Sequence, residues 1–539
     1  MDVQRTVNDD TNQTNTESQT NRNSNLPVVI PVITGVKKDA TETEVCHEYE
    51  DVLDIIGFGK TQWIVLFTSG LLLMMVINET MGMSIITIAS QCDFSTTSQE
   101  KGLLGAAAFI GILCTSYFAA YLCDTIGRRP LLIYTTLCGN VFSFASIFVP
   151  YYSLFVFLRF LVGACIAGAS FITYAYLGEF YVTRHRPVVI NYACLFVGLS
   201  VAYVPAVAWL VLSMDWSFAI TETFQFRPWR LLIVFNALPG FIAVLVMFAL
   251  PESPKILMSM GKQKEAFEAV NKIAKMNTGR TLEDFKVYSL CQETLSDNDK
   301  ILLTSKSASE VVKRMWQDAL PLFKKPHVFN FLICCIIMCG VFLINSGMGL
   351  WYPEIQNRLG MKATTPMTIC QVIDSFIDQQ NSTEISQICD DTITTKSYID
   401  SLTFGLSFTA GYFVLGFILK PFGRKLTMVM AFGVAAFCGF LLHWLHNPVA
   451  IVVCFILFLI LPGVCISVLS GAVVDLVPTH LRGKAVCVCL MLGRLGSIIG
   501  SNMVGAFLES YCNATFSLFY VLVLACAGLA MLLPIGRKS

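Results

Sequence analysis

Apolar and polar positions in this chain separate on the scale of whole helices, not of helix faces. Runs of about 20 mostly apolar residues, the length a helix needs to cross a hydrocarbon layer about 30 Å thick, recur twelve times. The pattern predicts spans at Trp63–Ile88, Leu103–Cys123, Leu131–Phe148, Leu154–Leu177, Val188–Leu212 and Leu231–Leu250. A second set follows at Val328–Trp351, Leu402–Leu419, Leu426–Trp444, Val449–Val474, Ala485–Leu508 and Phe516–Leu533. The reading is an all-α membrane protein with two six-helix bundles, residues 49–250 and 327–535.

The polar stretches complete the plan. Residues 1–48 are rich in Asn, Thr, Ser and Asp and read as a disordered cytoplasmic tail. Tyr49, Val52, Leu53 and Ile56 then recur at helical spacing, predicting a short helix that lies on the membrane surface or packs on the cytoplasmic face. Residues 251–326 read as a cytoplasmic linker and 354–400 as an extracytoplasmic loop.

Composition agrees with a membrane setting. Hydrophobic residues make up 55% of the chain, charged residues 14%, and mean hydropathy is +0.64; a soluble chain carries nearly twice that charge. The formal net charge of zero offers no case for a nucleic-acid partner. Many of the 20 cysteines lie inside apolar runs, where they act as small packing residues. The sequence holds no metal-ligand cluster, cofactor motif or nucleophile–base signature, so it does not read as an enzyme.

Lys and Arg set the orientation. They gather in the loops after spans 2, 4, 6, 8 and 10, as in Arg128, Arg129, Arg186, Lys420, Arg424 and Arg482, which places both termini in the cytoplasm. Arg227, Arg358, Lys362 and Lys396 are exceptions on the opposite side. That side also carries the Asn381-Ser382-Thr383 glycosylation sequon. It carries Cys370 and Cys389 too, a candidate disulfide in an oxidising compartment, with Cys92 and Cys512 near enough to pair instead.

A repeat runs through the two halves. The turn from Asp124 to Arg129 is echoed from Lys420 to Lys425, 420 − 124 = 296 residues on. Glu179 precedes Arg186 by seven residues and Asp475 precedes Arg482 by seven, again offset by 475 − 179 = 296. An internal repeat in a membrane chain points to a transporter. The charges Asp124, Arg128, Arg129, Glu179, Arg186, Lys420, Arg424, Asp475 and Arg482 are expected to form matching clusters under each half. They either gate the path as the halves rock or anchor the topology.

Ionisable groups within spans mark a pathway by default, because burying one unpaired in lipid costs several kcal/mol. Glu79 lies near the middle of span 1 and Arg494 in the first half of span 11. Both are expected to line a central cavity. Glu79 would carry a proton or meet a cationic solute; Arg494 would meet an anionic solute or neutralise Glu79. Arg159, in span 4, is expected to snorkel to the interface. Asn345 is a candidate solute ligand or a helix–helix hydrogen bonder. Trp351 is a candidate solute contact that reads most simply as an interfacial anchor.

Taken together, the two turns, the acid-to-arginine spacings and Pro251-Glu252-Ser253-Pro254 resemble the major facilitator superfamily, in its sugar and organic-ion branch. Gly57-Phe58-Gly59-Lys60-Thr61-Gln62-Trp63, Phe224-Gln225-Phe226-Arg227-Pro228-Trp229-Arg230 and Trp351-Tyr352-Pro353-Glu354 are similar to the synaptic vesicle glycoprotein 2 family and its insect-type relatives. The resemblance implies twelve helices in two pseudo-symmetric bundles around a cavity, with alternating access. It implies that Glu79 matches a family acid and Arg494 a basic position. Ala120, Thr125 and Lys420 depart from the family turns, and Gly198 and Ser470 from family positions in spans 5 and 10. The expected function is secondary transport of a small organic solute, an organic ion or a sugar, across a plasma or vesicle membrane, with possible proton coupling. The alternative is a non-transporting membrane protein that uses the fold for binding or trafficking.

Overall fold

A computed structural model describes residues 46–214, 216–221, 224–291, 317, 320–361, 367–382, 391–477 and 482–534. The spans are helices at Lys60–Ala89, Ser98–Ile126, Arg128–Ser146, Tyr152–Glu179, Arg186–Leu212 and Pro228–Met247 in the first half. In the second half they are Val328–Met361, Thr395–Leu419, Pro421–Leu441, Pro448–Leu476, Arg482–Phe507 and Cys512–Leu532. Eleven are long and apolar enough to cross a membrane on their own composition. Span 3, Arg128–Ser146, is the more polar twelfth, packed on spans 4 and 6.

Local chemistry sets the ends. Thr97 caps span 2: its hydroxyl accepts from the Glu100 amide while the Glu100 carboxylate accepts from the Thr97 amide. Asn447 caps span 10 ahead of Pro448, whose missing N–H costs nothing in the first turn. The two repeated turns depend on glycine. Gly127 has φ 109° and Gly423 φ 70°, values that an L side chain rarely adopts. They lie 423 − 127 = 296 residues apart, so the repeat seen in the sequence is also a repeat of backbone conformation.

Within each half, buried apolar side chains lock the helices: Leu72, Met75, Val162 and Ile166 in the first, Phe432, Phe455, Phe458 and Phe519 in the second. The halves meet along two seams, span 2 against span 11 and span 5 against span 8. Both seams depend on glycine. A Cβ on Gly405 would sit 2.2 Å from the Ala202 backbone nitrogen, and one on Gly505 2.7 Å from the Ser98 carbonyl oxygen. Backbones so close leave no thickness of side chain between the halves.

Three parts of the fold differ from expectation. The end of the tail is ordered: Cys46–His47 pairs in parallel with Ser289–Leu290, and a disulfide joins Cys46 to Cys291. The short helix expected at Tyr49–Ile56 is present and packed, with Tyr49, Val52, Leu53 and Ile56 buried as one of the two readings anticipated, and the Tyr49 hydroxyl donates to the Glu179 carbonyl at 2.7 Å. The segment 354–400 is not a plain loop, because span 7 continues to Met361 and a further helix covers Ile369–Ser382. Its cysteine pairs differently, too: Cys370 is bonded to Cys512, at the start of span 12, and not to Cys389. Cys389 lies outside the described residues, as do the side chains of Asn381, Lys420 and Arg482.

Candidate functional site

A cavity of about 150 Å³ lies between the halves, walled by spans 1, 4, 5, 7, 8, 10 and 11. Span 7 is shaped for it. The helix is regular over Val328–Phe342, widens to π geometry over Leu343–Met348 and tightens over Gly349–Trp351. Such widened turns often mark functional positions, and this one holds the cavity residues Asn345 and Ser346. Span 8 presents Phe404, Phe408 and Tyr412, spaced four residues apart and therefore on one face. Their rings form a ladder, with centroids 6.1 and 5.3 Å apart, and Tyr352 continues it 4.9 Å from Phe404.

One cation faces this apolar space. The Arg494 guanidinium lines the cavity, 5.0 Å from the centroid of the Phe342 ring and 5.7 Å from that of Phe109. Among the described residues, no carboxylate pairs with it. Asn345 is on the wall, with its amide donating to the Leu459 carbonyl at 3.1 Å.

Glu79 is not on the wall. It points into the first half and pairs with Arg159 at 2.8 Å, with both residues 1% exposed. Ser143 donates to the other Glu79 oxygen at 2.8 Å, and Arg159 also donates to the Ser143 carbonyl and the Ser146 hydroxyl. The expected convergence of Glu79 and Arg494 is therefore replaced by a pair inside one half. Arg159 does not snorkel, because a carboxylate and two serines satisfy it where it stands. Trp351 is not an interfacial anchor. It is 4% exposed and donates from Nε1 to the Ser501 carbonyl at 3.1 Å, against Gly505 of span 11.

The repeated charges pair within halves. Arg128 meets Glu179 at 2.8 Å, and Arg424 meets Asp475. These two pairs are also 296 residues apart, 424 − 128 and 475 − 179. Arg186 does not pair with Glu179. It meets Glu50 of the surface helix at 2.8 Å. Arg129 donates to the Met247 and Phe248 carbonyls at the end of span 6, and its amide donates to the Glu252 carboxylate. Burial pushes the Glu252 carboxyl above the usual carboxylate range, against the opposing pull of its amide donors. Asp124 is exposed at the end of span 2.

Across the cavity from these turns, at the end where span 7 finishes, ion pairs join the halves. Lys101 of span 2 meets Glu354 of span 7 at 3.3 Å, both residues nearly fully buried. Arg358 meets Glu354 and Glu509, each at 3.0 Å, and Ser98 donates to Glu509 at 2.8 Å. Arg227 of the first half meets Asp391 of the second at 3.0 Å. The cavity is latched at this end. Sequence reasoning did not find the latch, although a signal existed. Arg227 and Arg358 were two of the cations on the unexpected side, and both are latch members.

A model described as the Major Facilitator Superfamily matches residues 66–501. Among curated proteins, the chain is similar to synaptic vesicle glycoprotein 2B of Homo sapiens, 27% identical over 327 residues, covering 58% of this chain and 48% of that protein. It is equally similar to synaptic vesicle glycoprotein 2A of Rattus norvegicus, 27% identical over 330 residues, covering 59% and 44%. The chain spans about half the length of the curated relatives it matches. Among solved structures, the inward open conformation of the xylose transporter XylE from E. coli superposes with TM-score 0.62 at 15% identity, covering 88% of this chain and 98% of that one. A crystal structure of a D-xylose-proton symporter gives 0.60 at 14%, covering 87% and 97%. At these identities the two structures speak to the fold alone.

Proposed function

The chain belongs to the Major Facilitator Superfamily, and from that premise we propose that it is a secondary transporter that carries a small organic solute across the membrane by alternating access. The observation that carries this is the cavity between the halves, closed at one end by ion pairs that cross from half to half. A solute there is released at that end only when the halves rock apart and those pairs break. The glycine-lined seams let two rigid bundles roll on backbone contacts, without side chains to repack.

The basic residues Arg128, Arg129, Arg184, Arg186, Arg424 and Lys425 support placing the turn face in the cytoplasm. On that reading the latch faces outside or into a vesicle lumen. Glu79 is the proposed proton site. Its carboxylate is neutralised only by Arg159 and sits one residue from Thr80 on the cavity wall. A proton on Glu79 releases Arg159 and so alters the packing of spans 1, 3 and 4.

The test is uptake by full-length protein in proteoliposomes of labelled organic anions, organic cations and sugars, with and without a pH gradient, beside Glu79→Gln. Gradient-driven uptake that the variant loses supports the proposal. Folded protein that moves none of them contradicts it and favours a binding or trafficking role.

A further inference from the structure

We propose that the cavity takes an organic monoanion with an aromatic or otherwise apolar body, held by Arg494 against the ring ladder of span 8; this deepens, and rests on, the reading of the cavity as a solute site. The first argument is charge. A guanidinium enclosed by protein needs a partner, since a buried unpaired charge is among the most costly features a fold can hold. Glu79 is consumed by Arg159, and Glu354 by Lys101 and Arg358. Arg494 has only the faces of Phe109 and Phe342. Those contacts orient the guanidinium without cancelling its charge, so an anion entering the cavity supplies what the fold omits.

The second argument is the make-up of the wall. A sugar of xylose size brings a hydroxyl on nearly every carbon, and each needs a partner once water is gone. Part of the polar wall is spoken for. Thr80 donates to the Val76 carbonyl at 2.8 Å, Ser170 to Ala167 at 2.7 Å, Asn345 to Leu459 at 3.1 Å and Tyr352 to Asp400 at 3.4 Å. The hydroxyls of Ser84, Ser346, Ser401 and Tyr412 on the same wall make no hydrogen bond to the described residues. A cation with no answering carboxylate beside a ladder of rings describes an amphipathic anion better than a neutral polyol. The size agrees, because apolar cavities of about 150 Å³ hold a benzene ring.

The test uses purified full-length protein in detergent and compares four probes of similar size by calorimetric titration. They are benzenesulfonate, whose charge is independent of pH, and then benzyl alcohol, benzyltrimethylammonium and D-xylose. We expect benzenesulfonate to bind about tenfold or more tighter than benzyl alcohol, the scale of one charge-assisted hydrogen bond. Arg494→Gln is expected to erase that preference and Arg494→Lys to keep part of it. Benzyl alcohol, the ammonium or xylose binding as tightly as the sulfonate to wild-type protein overturns the proposal. That comparison needs no variant to fold. Sulfonate binding unchanged in Arg494→Gln overturns it as well. Uptake in proteoliposomes separates the two readings. Sulfonate that binds but is not moved leaves the ligand class standing and removes transport; xylose that is moved while no anion binds keeps transport and removes the anion.

Discussion

Removing Arg159 alone tests the account of span 1 most directly. In the folded chain Glu79 accepts from Arg159 at 2.8 Å and from the Ser143 hydroxyl at 2.8 Å, and the water-accessible surface of both ionic residues is 1%. Arg159→Met keeps an unbranched, shorter side chain and removes the charge, leaving a carboxylate with one hydroxyl donor. Losing one partner of a buried pair costs about 3–5 kcal/mol. Glu79→Gln leaves the guanidinium with the Ser143 carbonyl and the Ser143 and Ser146 hydroxyls, and the same range applies. The double variant Glu79→Gln/Arg159→Met has no charge to strand, and replacing both members of a buried pair is often close to neutral. The single costs then sum to about 6–10 kcal/mol while the double costs close to nothing, so a double-variant cycle is expected to show a coupling of about 6–10 kcal/mol, read from equilibrium unfolding in mixed micelles. Single variants that each cost under about 1 kcal/mol, or costs that add within about 0.5 kcal/mol, would refute the reasoning, because a pair so enclosed cannot be energetically silent.

Three further outcomes follow from other parts of the molecule. Glu354→Gln weakens the latch, so an impermeant maleimide added from the latch side is expected to label Ser401→Cys faster in that background than in the chain that keeps Glu354; an equal rate would show that the pair does not hold that end shut. Cys512→Ser leaves Cys370 without its partner, exposes one additional alkylatable thiol by mass, and lowers stability by about 2–4 kcal/mol; a thiol count one lower than in the parent would mean the bond does not form. The surface helix should undock in acid. The Thr183 hydroxyl and, more weakly, Arg186 hold the Glu50 carboxyl below its usual range, so their contribution is present above the ordinary carboxylate range and is lost as pH falls through the lowered folded value. Protection of the Val52–Ile56 amides, measured against their intrinsic exchange rates, should therefore fall in acid, and Glu50→Gln should lower that protection at every pH.

What could be read from the chain, and what could not, divides along a physical line. Span length and number follow from hydropathy, and the 296-residue offset follows from the placement of glycine and charge. Both survive folding as the positive-φ turns at Gly127 and Gly423 and the pairs Arg128–Glu179 and Arg424–Asp475. Direction around a helix axis is another matter. A span in lipid is apolar on the side facing its neighbours and on the side facing the membrane, so no amphipathic stripe says which way Glu79 points. Its partner is 80 residues away in the chain, beyond any local pattern. The same uniformity hid the burial of Trp351, because an aromatic residue near the end of a span looks the same at a lipid interface and at a helix seam. The outer segment was misread for a different reason. Helix Ile369–Ser382 is short and polar, and nothing in its hydropathy separates it from loop.

Two disulfides between described residues carry a consequence for the environment in which the protein matures. Cys46–Cys291 closes the face where span 1 begins, and Cys370–Cys512 the face where span 7 ends. A bilayer separates them. Disulfides persist in oxidising compartments and are rare beside the cytosolic thiol pool, and a membrane offers one side of each kind. Whichever way up the chain is inserted, one of these two clasps must face glutathione. An impermeant phosphine reductant applied to sealed vesicles therefore reaches one bond and spares the other, and the bond it opens tells which face of the protein looks outward.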